Sequence, residues 1–289
     1  MLSARRWALA AAATLLSAAG LAASASAAVP GLELVSGAVN KPFTGLGLQC
    51  PVGKEVIGVG GFVGDGDSGQ VKLITLWPAS FGSVAVDTST DQDGFAGPWS
   101  VGATATCADP LPGREVRRTI VPHTAADPRS DAIGRAGCSP HKRVVGMAAR
   151  LSGVRGQVAL TTLTHIDIGD GQVLAQAVED QDGFAGDWQL EVLAICAVPP
   201  PGYEVVRRRS AITSAGKALD APCPAGKRAL SGGAQTEVDG IDLAGNGQVV
   251  LNDLTVQAGL GNVRATALED QDGFARAWQL KTTAICASA

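Results

Sequence analysis

Aromatic side chains are scarce in this chain: Phe, Trp and Tyr make up 4% of its 289 residues, with a single Tyr. Aromatics bury the most apolar area per residue, so the cores they build here must be thin. Histidine is scarcer still, at three residues, and His123, His141 and His165 stand far apart in the sequence. The chain carries no Gly-x-Ser-x-Gly elbow, no His-Glu-x-x-His helix and no phosphate loop. Helical periodicity is missing after residue 28. Positive charge is short too, with 23 Lys and Arg against 27 Asp and Glu, a formal net charge of -4. Mild acidity argues against nucleic acid as a partner.

What is abundant is glycine, at 37 residues, together with six cysteines. Arg5 and Arg6 precede an apolar run from Trp7 to Leu21, and Ala25-Ser26-Ala27 follows. A basic head, an apolar middle and a small-residue tail make residues 1–28 a secretion signal peptide. The run is too short and too Ala-rich for a membrane anchor. Its removal takes away two arginines and no acids, so the charge falls from -4 to about -6. A secreted (extracellular) chain with thin cores usually needs disulfides.

After the signal, one pattern occurs three times. Asp182-Gly183-Phe184-Ala185-Gly186-Asp187-Trp188 leads through Ala194 to Cys196, and its counterparts run from Asp93 to Cys107 and from Asp272 to Cys286. Each Trp stands eight residues before its Cys. Trp188, Leu190, Val192, Ala194 and Cys196 share one parity, as in a strand with one buried face. Upstream, each copy repeats a Gly-x-Glu strand, a Cys followed by a short turn, a Gly-rich apolar strand such as Val56 to Gly61, and a Gly-Gln-Val-x-Leu element. A fourth strand alternates Val with Ala, and the Trp-to-Cys strand closes the copy. In the Gly-Gln-Val element, Val71 and Leu73 share a face while Leu76 changes parity, which a β-bulge would explain.

The chain is therefore expected to be all-β, with three tandem disulfide-closed units of about 85 residues spanning 29–110, 111–199 and 200–289. Five short strands per unit are expected. Repetition favours the pairs Cys50 with Cys107, Cys138 with Cys196 and Cys223 with Cys286. Each bridge closes a loop of about sixty residues, contributing about 4 kcal/mol. The junctions are short and proline-rich, as in Pro199-Pro200-Pro201, so neighbouring units should touch. The units could form packed small sandwiches in a row or a pseudo-threefold, prism-like ring.

The acidic turns carry the chemistry that remains. Asp91 and Asp93, then Glu179, Asp180 and Asp182, then Glu269, Asp270 and Asp272, each cluster beside a Gly. Such a turn resembles part of a calcium loop. The simpler reading is an Asx-type turn in which Gly supplies positive φ. Phe95, Phe184 and Phe274, with the neighbouring amides and carboxylates, could serve a sugar. Trp77 occurs in the first unit alone and is the aromatic expected to be exposed or specialised. Arg114, Arg117 and Arg118, then Arg207, Arg208 and Arg209, form basic runs that fit solvated strand edges better than a polyanion site. His165 with Asp167 is the one base-and-orienter pair.

The combination of Cys-Pro-x-Gly-Lys, a Gly-rich strand, Asp-Gly-Phe-Ala-Gly-x-Trp and Ala-Ile-Cys-Ala resembles a group of secreted repeat proteins from high-GC actinomycete bacteria. Unit two departs from it, with Cys138-Ser139-Pro140-His141 at the turn. The Cys-Pro-x-Gly start also resembles vitelline membrane outer layer proteins, whose fold is a threefold β-prism; their acidic repeat motif is missing here. Neither resemblance implies a catalytic residue. The expected function is non-enzymatic binding or coating at the bacterial cell surface or extracellular matrix. The alternative is calcium-assisted, lectin-like carbohydrate binding at the acidic turns, and the second alternative is an extracellular hydrolase using His165 and Asp167. No cofactor is expected unless calcium binds. A cell-wall or extracellular glycan is the expected partner, without nucleic acid or a membrane anchor.

Overall fold

The computed structural model describes residues 28–41, 44–64, 69–154, 156–238 and 247–288. The segment expected to be a signal peptide, apart from Ala28, lies outside them. Repeat 1 folds as β1 (Glu33–Asn40), β2 (Gly45–Gln49), β3 (Glu55–Gly64), β4 (Val71–Ser80), β5 (Ser83–Thr90) and β6 (Ser100–Ala108). Repeat 2 follows with β7 (Glu115–His123), β8 (Asp131–Gly137), β9 (Arg143–Ser152), β10 (Val158–Ile166), β11 (Gln172–Glu179) and β12 (Trp188–Ala197). Repeat 3 has β13 (Glu204–Arg209), β14 (Lys217–Pro222), β15 (Lys227–Val238), β16 (Val249–Val256), β17 (Asn262–Glu269) and β18 (Trp278–Ser288).

Each repeat has six strands where the sequence suggests five. The additional ones, β2, β8 and β14, lie just before the first cysteine of each repeat. All three are sheet-edge strands, short, and broken by Gly, Ala or Pro, so their pattern is weak.

Three six-stranded antiparallel sheets result, and every one is built from two repeats. Sheet I runs β1-β6-β3-β16-β17-β14, sheet II β2-β5-β4-β9-β12-β7 and sheet III β13-β18-β15-β10-β11-β8. Repeats 1 and 3 share sheet I, repeats 1 and 2 share sheet II, and repeats 2 and 3 share sheet III. The repeats thus close a pseudo-threefold ring, and a row of separate sandwiches is ruled out. Each seam between repeats is a short antiparallel pairing, β16 with β3, β4 with β9 and β10 with β15.

The expected bulge is present in every copy. Register against the next strand skips between Leu73 and Thr75, Leu160 and Thr162, and Leu251 and Asp253. It turns the strand so that residues before and after it can both face inward. The expected disulfides are present, and each joins two sheets. Cys50, directly after β2 of sheet II, meets Cys107 of β6 in sheet I. Cys138 links sheet III to sheet II through Cys196, and Cys223 links sheet I to sheet III through Cys286.

The Gly-rich strands β3, β9 and β15 pack against one another where the sheets converge. A Cβ on Gly58 would stand 2.2 Å from the Leu230 carbonyl oxygen, and one on Gly146 would stand 2.1 Å from that of Ile57. Glycine is required there because backbones of different sheets approach each other. Around this contact lies a continuous core of Val, Ile, Leu and Ala with Trp99, Trp188 and Trp278. None of the described residues forms a helix long and apolar enough to cross a membrane.

Candidate functional site

The ring brings the three acidic turns together. Each is a tight turn closed by a backbone bond from glycine to the first Asp: Gly94 N to Asp91 O at 2.9 Å, Gly183 to Asp180 at 3.2 Å and Gly273 to Asp270 at 3.1 Å. All three glycines have positive φ, near 70°. The first Asp of each turn also accepts a backbone N–H with Oδ1, from Gln92, Asp182 and Asp272 respectively. These are the features of an Asx-type turn.

The turns then bond to one another in a cycle. Gln92 donates to Asp182, Gln181 donates to Asp272, and Gln271 donates to Asp93 at 2.9 Å. Behind this cycle sits Lys72, fully buried, with Nζ 3.4 Å from both Asp91 Oδ2 and Asp180 Oδ2. Asp270 is within electrostatic reach of Lys72 and Asp91. Burial pushes the Asp270 carboxyl up to about 6, and Asp180 upward as well, with Lys72 opposing both shifts. The positions equivalent to Lys72 are Ala159 and Val250. One ammonium therefore stands among carboxylates from all three repeats. No group of three or more His, Cys, Asp or Glu suited to a metal ion occurs among the described residues.

The remaining carboxylates have internal tasks. Glu179 accepts from Trp188 Nε1 at 2.9 Å and from Phe184 N at 3.3 Å, and Glu269 does the same for Trp278 (2.7 Å) and Phe274 (3.2 Å). Repeat 1 has Thr90 instead, and Trp99 Nε1 is buried without a partner among the described residues. Phe274 is buried, while Phe95 and Phe184 pack against the core, with their rings against Gly97 and Gly186 of their own turns. Phe95 and Phe184 thus keep part of their surface at the turns, while Phe274 is closed off.

Of the two expectations for Trp77, exposed or specialised, the first is corrected. Trp77 is 8% exposed and forms the floor of a groove of about 550 Å³ on sheet II. Arg150, opposite Thr75 across the β4–β9 seam, lies 4.6 Å over the ring, and Arg118 of β7 lies at 5.9 Å. Glu191 of β12, 1% exposed, accepts from Arg150 Nε and Nη2 at 2.8 Å and pairs with Arg118. Asp87, Gln189 and Ser152 complete the rim, and Ser152 Oγ is buried with no partner among the described residues. Arg150 and Glu191 carry no repeat signature, because Gln235 with Lys281 and Phe62 with Gly102 stand at the corresponding places. Comparing copies position by position for what differs would have singled out both, and Lys72 too.

His165 and Asp167 lie close, with Nδ1 and Oδ1 3.5 Å apart, but Arg207 comes between them in function. Its guanidinium donates to His165 Nδ1 at 3.0 Å and pairs with Asp167 Oδ2 at 3.0 Å. Burial first, and the positive charge of Arg207 second, lower the imidazole to about 4. A base that weak is poorly matched to proton abstraction near neutral pH. The basic runs sit on the terminal strands β7 and β13 of sheets II and III, except Arg114, which precedes β7 with its side chain buried against Glu55 and the Val56 carbonyl. Comparison with protein-family models and with curated proteins found no match to the chain.

Proposed function

We propose that this is a secreted, non-enzymatic protein that binds or coats a glycan of the bacterial cell surface or extracellular matrix. The observation that carries the reading is the sheet II groove. It sets Arg150, seated on the Trp77 ring, beside a glutamate, an amide and an aspartate, within the size range of ligand sites. Convergent donors and acceptors of this kind suit the hydroxyls of a sugar. The disulfides fit an oxidising compartment. The calcium-assisted reading has less support, because the acidic turns already spend their carboxylates on backbone N–H groups, on Gln side chains and on Lys72.

The test is binding to an array of cell-wall and extracellular glycans, run with calcium and again with chelator. We expect Trp77→Ala to weaken the best ligand about tenfold by removing the seat of Arg150, with little difference between the two buffers. Equal binding by wild type and Trp77→Ala would remove the groove from the proposal. Binding abolished by chelator would return it to the acidic turns.

A further inference from the structure

The edge of sheet III places two cations opposite each other. In the β13–β18 register Arg209 faces Lys281, and Arg207 faces Thr283 two residues on. Like charges directly across a strand pair are destabilising. The same position in sheet II sets Ile120 against Glu191, and in sheet I Ala38 against Gly102. The juxtaposition therefore belongs to this face alone and is not imposed by the repeat.

These side chains line a pocket of about 270 Å³ together with Arg208, Gln235 and the hydroxyls of Thr164 and Thr283. By strand alternation Arg207 and Arg209 share the face of Lys281, so they are not simply solvated edge residues. Glu237 pairs with Lys281 and Asp167 with Arg207. Among the described residues Arg207, Arg208, Arg209 and Lys281 line the pocket with Asp167, and His165, accepting from Arg207, is neutral at its low pKa. Burial, then Arg209 and Arg207, lower the Lys281 ammonium to about 8, as expected where positive charge exceeds its local counter-charge.

We propose that this pocket is an anion site that takes a phosphoryl group of a polyol-phosphate polymer or phosphorylated sugar. The guanidinium fork of Arg209 offers paired N–H donors to two phosphate oxygens, Arg207, held by Asp167 and His165, adds positive charge beside it, and Lys281 and Thr283 line the same pocket. The site lies on sheet III and does not depend on the sheet II groove.

The experiment is calorimetric titration of the full mature chain with inorganic phosphate and with oligo(glycerol phosphate), beside oligogalacturonate as a carboxylate probe. We expect saturable binding of both phosphate probes. Arg209→Gln should weaken it about tenfold, while Arg117→Gln, which removes the same charge from the β7 edge, should change it less than about twofold. Arg209→Lys, keeping charge without the fork, should rescue binding only in part. Trp77→Ala should leave phosphate binding intact, which separates this site from the groove. Equal losses in Arg209→Gln and Arg117→Gln would reduce the pocket to general edge charge. Tighter binding of oligogalacturonate, or no saturable phosphate binding by a folded wild-type chain, would overturn the assignment.

Discussion

Lys72 is a buried cation where its repeat equivalents are Ala159 and Val250. Its ammonium is buried among Asp91, Asp180 and, at longer range, Asp270. Removing one partner from such a set leaves charge without compensation, at a cost of about 3 kcal/mol or more. We expect Lys72→Met to lose about that much at pH 7.5 and clearly less at pH 5, measured by urea unfolding at both. The sign follows from the raised carboxyls. Asp270, at about 6, takes up a proton on folding when the pH lies between the ordinary aspartate value and 6. Stability from that proton is fully present below the ordinary value and disappears as pH rises through 6. Below 6 Asp270 takes up its proton, so it needs the ammonium less. A loss that does not change with pH would mean that Lys72 acts by packing alone. In the sequence this site shows only as a difference between copies, Lys against Ala159 and Val250. A period-two pattern cannot reveal it, because the position reads as one more inward residue.

At the scale of elements, the closing strands were plain in the sequence, since Trp188, Leu190, Val192, Ala194 and Cys196 fall on one parity and the Cys has a partner in each copy. The expected single buried face is corrected, because Glu191, Leu193 and Ile195 on the other parity are buried too. The bulge was legible from one parity change at Leu76. The edge strands were not, because Gly45-Leu46-Gly47-Leu48 offers too little β-propensity against its glycines. The glycines of β3, β9 and β15 were visible, but their cause was not. Gly58 is glycine because a backbone from another sheet lies against it. We therefore expect Gly58→Ala to cost about 2 kcal/mol or more, as overpacking against a carbonyl that cannot yield. A lower denaturant midpoint at unchanged slope would register it. An unchanged midpoint would show that β15 can move away.

For the whole molecule, the sequence shows three copies and their bridges but leaves the arrangement open, because pairing across a seam involves residues more than seventy positions apart, such as Leu163 with Ala234. No repeat keeps its six strands in one sheet. Unfolding one repeat would strip half the strands from two sheets, so the repeats lack independent stability. Calorimetry of the oxidised chain should give a single transition with equal calorimetric and van't Hoff enthalpies. Three resolved transitions would contradict the shared sheets.

The bridges also decide how the chain responds to tension. Pulled from its ends, a chain that loses its sheets cannot pay out the segments closed by Cys50–Cys107, Cys138–Cys196 and Cys223–Cys286, which span separations of 57, 58 and 63 residues. Between the first and last bridges only residues 108–137 and 197–222 can lengthen, about 56 residues or about 200 Å at full reach. A coat built from such chains would lose its shape under load before its chains came far apart. Most of each repeat would remain in a short covalent loop, from which the sheets could re-form when the load is released.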